Sequence, residues 1–201
     1  MNKKVLHDAL ILTAFTLVLG FILGFVYELT KEPIAKAEAD TKKAAYQAVF
    51  EDADHFTEVS IDKEQANTMV SENGFSDTID DVCEANDSSG NPLGYVITVT
   101  AKDASQGSIT FSVGIRLDGT VNGYSITSIA ETPGLGMKAA EEEFYGQFRN
   151  KKVSVFSLVK QTPQAEEEIE AITGSTITSK AMVNGCNAAL YYFQNALGGT
   201  K

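Results

Sequence analysis

Residues Ala9 to Tyr27 read ALILTAFTLVLGFILGFVY, nineteen positions without a charge. At the rise of an α-helix that run reaches roughly 28 Å, about the hydrocarbon thickness of a bilayer. Lys3 and Lys4 precede it, and Glu28, Lys31 and Glu32 follow it. The positive-inside rule therefore predicts a cytoplasmic N-terminus at 1–8, a transmembrane helix over 9–29, and everything later outside the membrane. The competing reading is a cleaved signal peptide, for which Ala35-Lys36-Ala37 offers a cleavage site. A signal core spans about 7–15 apolar residues, and this run is longer, which favours a retained anchor. No cysteine follows closely, so the segment is not a lipoprotein leader. Gly20 and Gly24 lie on one face of the helix, at the spacing that lets two membrane helices approach. Glycine is also common in membrane helices that have no such contact.

The 201-residue chain leaves room for one domain beyond the anchor, and its 43% hydrophobic content is enough for a packed core. Residues 28–201 hold 14 basic against 26 acidic side chains. That balance argues against a nucleic-acid partner and against docking on an anionic lipid surface. The histidines are His7 and His55, too few for a histidine metal centre or a Ser-His-Asp triad. Cys83 and Cys186 are far apart with no C-x-x-C, so no zinc or iron–sulfur framework is encoded; a disulfide between them stays open.

Along the chain, Pro33 suits the first turn of a second helix. Residues 30–75 read as a juxtamembrane helix through Phe50, then an acidic linker over Glu51 to Asn73 with one short strand. The domain proper spans 76–201. Strands are expected at Ile79–Ala85, Leu93–Ala101, Ile109–Leu117 and Val121–Ile129, separated by NDSSGNP and by a hairpin signal at Asp118-Gly119. A short helix over Ala139–Phe148 and a strand at Val153–Phe156 follow. The last helix runs from about Ile177 to Leu197, with Met182, Cys186, Ala189, Leu190, Phe193 and Leu197 on one face and Gly198-Gly199 at its end. On that face Cys186 reads as a small buried hydrophobe. Strands first and helices after them predict an α+β domain built on an antiparallel sheet. No G-x-G-x-x-G follows a strand, which disfavours a Rossmann dinucleotide site.

Two stretches carry chemistry. In Ala171–Lys180 a short apolar run meets Gly174 and then a helix, with Thr173, Ser175, Thr176 and Thr178 crowded at the junction. Backbone N–H groups and the positive end of the helix make such a junction an anion site, phosphate above all. The plainer reading is a hydroxyl-rich N-cap. The second stretch, Glu131-Thr132-Pro133-Gly134-Leu135-Gly136, pairs a fixed proline angle with two permissive glycines and lets backbone approach a flat ligand. A plain Pro-Gly turn is the alternative.

Read together, these stretches resemble the covalent-FMN domain of the Rnf and Nqr electron-transport complexes. Thr173, Gly174 and Thr176 match that family's attachment motif, while Ser175 stands where alanine is usual. The resemblance also takes in the anchor, the exit Tyr27-Glu28-Leu29-Thr30-Lys31-Glu32-Pro33-Ile34 and the strand Gly94–Ala101. Length and layout are most similar to the G subunit of the Rnf electron-transport complex, with the C subunit of Nqr as a longer relative.

The resemblance implies FMN joined through its phosphate to Thr176. Thr173, Gly174, Ser175, Ile177 and Thr178 would surround the phosphate end, and Glu131, Thr132, Gly134 and Leu135 the ring. It also implies attachment by a separate flavin transferase that uses FAD and Mg2+, and a place among the membrane subunits of a ferredoxin:NAD oxidoreductase coupled to Na+ or H+ transport. The chain would relay electrons without being catalytic alone. A stand-alone extracytoplasmic FMN carrier, a protein like the C subunit of Nqr, and a non-redox binding module whose hydroxyls only cap a helix are the other readings.

Overall fold

The computed structural model describes residues 3–198. The expectations for Met1, Asn2 and Gly199 lie outside the described residues. Two units are distinguished, residues 1–42 and 43–201.

Helix α1, Lys3–Val49, contributes all the described structure of the first unit. It is the one helix among the described residues long and apolar enough to cross a membrane. Phe15, Leu17, Phe21 and Leu23 are 64%, 70%, 76% and 69% exposed. Over that stretch the helix is apolar on every side, as a segment solvated by lipid requires. Pro33 lies inside α1, so the second helix expected to start there is a continuation of the first. Proline removes one N–H and crowds the preceding turn, but the strong helix formers around it (Leu29, Lys31, Glu32, Ala35, Lys36 and Ala37) carry the helix through.

The second unit is built on a five-stranded antiparallel meander. Its strands are β1 His55–Glu58, β2 Thr78–Asn86, β3 Pro92–Ala101, β4 Ile109–Arg116 and β5 Val121–Ser128, side by side in chain order. The four longer strands fall where alternation of Val, Ile and Thr places them, and Gly119 closes the β4–β5 turn at φ 87°. The 51–73 stretch holds more than the loop and strand expected. Beside β1 it forms helix α2, Lys63–Glu72. Asp62 caps α2 by accepting the N–H groups of Glu64 and Gln65 at 3.0 and 3.1 Å.

Helix α4, Thr176–Ala196, and α2 pack on one face of the sheet. Met182, Cys186, Ala189, Leu190 and Phe193 are all buried, as the helical stripe predicts, while Leu197 is partly buried. Gly185 is where α4 comes closest, since a Cβ there would meet Phe111 at 2.5 Å. Residues 45–50 cover the opposite face. Tyr46, Val49 and Phe50 form a second cluster with Cys83, Ala85 and Val96. Side chains at Gly94 and Gly114 would meet Phe50 and Val49 at 2.8 Å, so the chain lies directly on the sheet. The Tyr46 hydroxyl donates to Asp81 at 3.1 Å, and burial pushes its pKa up. Cys83 and Cys186 sit in these different clusters, and neither is in a disulfide.

Three short turns replace the single helix expected over 139–148: a 3₁₀ turn Gly136–Ala140, helix α3 Glu142–Tyr145 and a 3₁₀ turn Gly146–Phe148. Glu141 is extended, with φ −92° and ψ 145°, and breaks the run. Phe144 and Phe148 are still buried, stacked edge-on with each other at 5.7 Å. No strand forms at 153–156. Instead β6, Ser157–Val159, pairs in parallel with β7, Glu168–Glu170. The buried amide of Asn187 on α4 fixes Phe156 from both sides, accepting its N–H at 2.7 Å and donating to its carbonyl at 2.9 Å.

Candidate functional site

The turn Thr173–Ser175 connects β7 to α4. Gly174 takes φ 80°, a left-handed angle that a Cβ disfavours. Ser175 donates its N–H to the Ile172 carbonyl at 2.9 Å. Ser179, one turn into α4, closes the same turn from inside. Its hydroxyl accepts the Ile172 N–H and donates to the Ser175 carbonyl, both at 2.9 Å. Ser175 is the N-cap residue by position, yet its φ −136° and ψ 46° lie off the extended geometry of a cap, and its side chain makes no cap hydrogen bond. The first-turn N–H groups, which have no partner within a helix, are therefore left without the usual side-chain acceptor.

The Glu131–Gly136 loop leaves β5 and reaches this turn. Leu135 touches Gly174 so closely that a Cβ there would sit 3.2 Å from Leu135 Cδ2. Glu131 is 6% exposed. Its Oε1 accepts the Gln106 N–H at 3.0 Å and its Oε2 accepts the Thr178 hydroxyl at 3.2 Å. Gly136 is packed against the Glu131 side chain, where an added Cβ would meet Glu131 Cβ at 2.8 Å.

Both expected stretches thus wall one cleft of about 320 Å³. Glu131, Thr132 and Leu135 line it from one side, and Gly174, Ser175, Thr176, Ile177 and Thr178 from the other. Leu135 and Ile177 are 42% and 61% exposed, so an apolar surface stands open beside the uncapped start of α4. Two expected residues fall elsewhere. Gly134 sits exposed at the loop tip with φ 74°, outside the cleft lining. Thr173 lines a neighbouring cleft of about 390 Å³ with Lys138, Phe144 and Gln147. Lys180 is exposed and is not among the residues lining the 320 Å³ cleft.

Ser105 and Gly136 complete the lining, and of the two sequence reasoning misses only Ser105. Gly136 has its signal in the ETPGLG motif. Ser105 lies in the DASQGS turn between β3 and β4, whose small residues mark a loop but nothing local ties it to α4.

The four junction hydroxyls are not equivalent. Thr178 is fully buried and donates to Glu131. Ser175 is 8% exposed. Thr173 is exposed but lines the other cleft. Thr176 is both exposed and in the wall of the cleft that the two loops share.

An open apolar wall against an uncapped helix start suits a ligand with a flat ring and an anionic tail, and residues 105–191 match the FMN-binding domain family. Residues 1–49 match the RnfG N-terminal region. The chain is 31% identical over 188 residues to the G subunit of the proton-translocating ferredoxin:NAD(+) oxidoreductase complex of Clostridium ljungdahlii, covering 94% of this chain and 91% of that one. It is 30% identical over 198 residues to the G subunit of the Na(+)-translocating ferredoxin:NAD(+) oxidoreductase complex of Acetobacterium woodii, covering 96% and 93%. The fold is similar to the crystal structure of the C subunit of Na(+)-translocating NADH-quinone reductase from Parabacteroides distasonis, with TM-score 0.53, 21% identity and coverage of 74% and 80%.

The protein class is thus an FMN-binding domain carried behind an apolar N-terminal helix. Within that class, the chain belongs to the family of Rnf complex G subunits.

Proposed function

We propose that this chain relays electrons through FMN as the G subunit of an ion-translocating ferredoxin:NAD oxidoreductase complex, with the FMN phosphate esterified to Thr176. One observation carries the choice of residue: of the four junction hydroxyls, Thr176 alone is exposed within the cleft shared by the Glu131–Gly136 loop and the start of α4. The names of the relatives supply the reaction, electron transfer between ferredoxin and NAD coupled to ion movement.

Bound FMN supplies the redox chemistry, and the protein holds and orients it. The uncapped first turn of α4 would hold the phosphate, whose charge N–H groups at a helix start stabilise. Leu135 and Ile177 offer apolar contact to a ring, while Thr132 and Ser105 bring hydroxyls to the same cleft. The cleft lining holds no histidine or lysine–aspartate pair to activate Thr176. The resemblance to the covalent-FMN family implies attachment by a separate flavin transferase acting on FAD with Mg2+. Thr176 would supply the ester oxygen to the FMN phosphorus of FAD, with AMP as the leaving group and the hydroxyl proton passing to the transferase.

Ala9–Tyr27 anchors the chain with the N-terminus in the cytoplasm and the flavin domain outside, and other membrane subunits of the complex surround the anchor. A permanent ester suits that placement, because a dissociating cofactor would be lost to a dilute exterior. The test is denaturing electrophoresis of chain purified from its host. Flavin fluorescence that stays with the band supports the assignment. A band with no fluorescence, when the transferase is present, refutes it.

A further inference from the structure

Glu131 lines the cleft, yet both its carboxylate oxygens are engaged by the protein itself. We infer that Glu131 is a positioning residue: its carboxylate ties the Gln106 loop, the Glu131–Gly136 loop and the first turn of α4 together, and so fixes where the Thr176 hydroxyl faces. The inference rests on the FMN reading of Thr176.

Three observations meet in this side chain. Oε1 receives the Gln106 N–H, next to Ser105 of the cleft wall. Oε2 receives the hydroxyl of Thr178, two residues beyond Thr176 and fully buried. Gly136 leaves no room for a side chain, because any Cβ would run into Glu131. The carboxylate is therefore held from three directions in a site only 6% exposed.

The cost of losing it is local. Helix ends fray, and α4 has no side-chain cap to hold its first turn. The Ser179 hydroxyl ties that turn to Ile172, on the β7 side. Glu131 supplies a hydrogen-bond tie to the opposite wall of the cleft. Without it the α4 start keeps its fold but loses its register against the loop that carries Thr132 and Leu135. A hydroxyl misplaced by an ångström costs on the order of 10²-fold in a group transfer.

The experiment follows the initial rate of covalent FMN incorporation into the full-length detergent-solubilised chain, supplied with FAD, Mg2+ and a flavin transferase, by intact mass. Circular dichroism and thermal unfolding of each variant are measured alongside. Glu131→Ala is expected to slow incorporation about 10- to 100-fold, and Thr178→Val, which removes one hydroxyl at nearly constant volume, about tenfold. Because the two variants break a shared tie, the double variant is expected to be no slower than Glu131→Ala alone. Glu131→Gln keeps an acceptor for the Gln106 N–H and turns its amide donor toward the Thr178 oxygen, so it is expected to restore the rate to within about threefold.

Variants that incorporate FMN at the wild-type rate, losses that multiply in the double variant, or a Glu131→Gln chain as slow as Glu131→Ala would each overturn the inference. If Glu131→Ala does not fold, Thr178→Val and Glu131→Gln decide the matter on folded protein. A wild-type chain that takes no FMN overturns the flavin reading and this inference with it. A labelled wild type with equally labelled variants overturns the inference alone.

Discussion

Helices α2 and α4 begin in opposite ways. At α2, Asp62 is extended at φ −79° and ψ 101°, and its carboxylate receives two N–H groups of the first turn. At α4, Ser175 stands in the cap position with ψ 46° and makes no such bond. The first start is closed by the chain's own anion on a solvent-exposed surface. The second opens into a cleft lined by a second loop. The difference separates a helix start that is finished structurally from one whose first-turn N–H groups have no side-chain acceptor, as the proposed phosphate site requires.

The comparison breaks first at Thr176. Thr176→Ala should remove covalent FMN completely while leaving the unfolding midpoint close to wild type, since the side chain is exposed and the Ser179 ties remain. Flavin absorbance after acid precipitation reads this directly. Covalent flavin persisting in the variant would mean that the open helix start is not the attachment point.

A third carboxylate sharpens the contrast. Asp77 is 3% exposed, and among the described residues neither of its oxygens makes a well-formed hydrogen bond. Burial, reinforced by the charge of Asp103, raises its pKa from 3.8 to about 6. A pKa raised on folding means that the protonated form stabilises the fold. That contribution is complete below about pH 4 and is lost as pH rises through about 6, in total about 3 kcal/mol. Asp77→Asn, neutral at every pH, should remove this dependence. Urea unfolding from about pH 4 to about pH 8 measures it, and equal pH profiles for the two proteins would contradict the assignment.

Gly174→Ala should cost about 1–2 kcal/mol of stability, because the residue sits at φ 80° against Leu135. It should also slow FMN incorporation, since it moves the turn that presents Thr176. Stability and incorporation both unchanged would show that the turn is not constrained. The smallest effect belongs to the closed start. Asp62→Ala should cost about 1 kcal/mol by denaturation and leave FMN incorporation unaltered. A loss of flavin there would erase the distinction between the two helix starts.

Much of the fold is legible in the sequence because its signals are local. Alternating Val, Ile and Thr marks β2 to β5, and the 3.6-residue stripe from Met182 to Phe193 marks α4. Helix α2 escapes such a reading because only Ala66 and Val70 of its ten residues are buried, too few for a stripe. Its readable signal is the cap, Asp62 followed three positions later by Gln65. Pro33 misleads because proline suits a helix start but does not require one when the flanking residues favour continuation.

At the site, the paired glycine-and-hydroxyl stretches are visible from sequence, and the structure brings them to one cleft. The engagement of Glu131 by Thr178 is not visible, since it joins residues 47 apart through a single hydrogen bond. The separation of Thr173 from Thr176, three residues apart yet lining different clefts, follows from the left-handed turn at Gly174 between them.

The most direct test is fragmentation mass spectrometry of the tryptic peptide running from Gln161 to Lys180, taken from chain purified with its native flavin. The expected result is one FMN less one water, located on Thr176. An unmodified peptide, or the same mass located on Thr173, Ser175 or Thr178, would contradict the assignment.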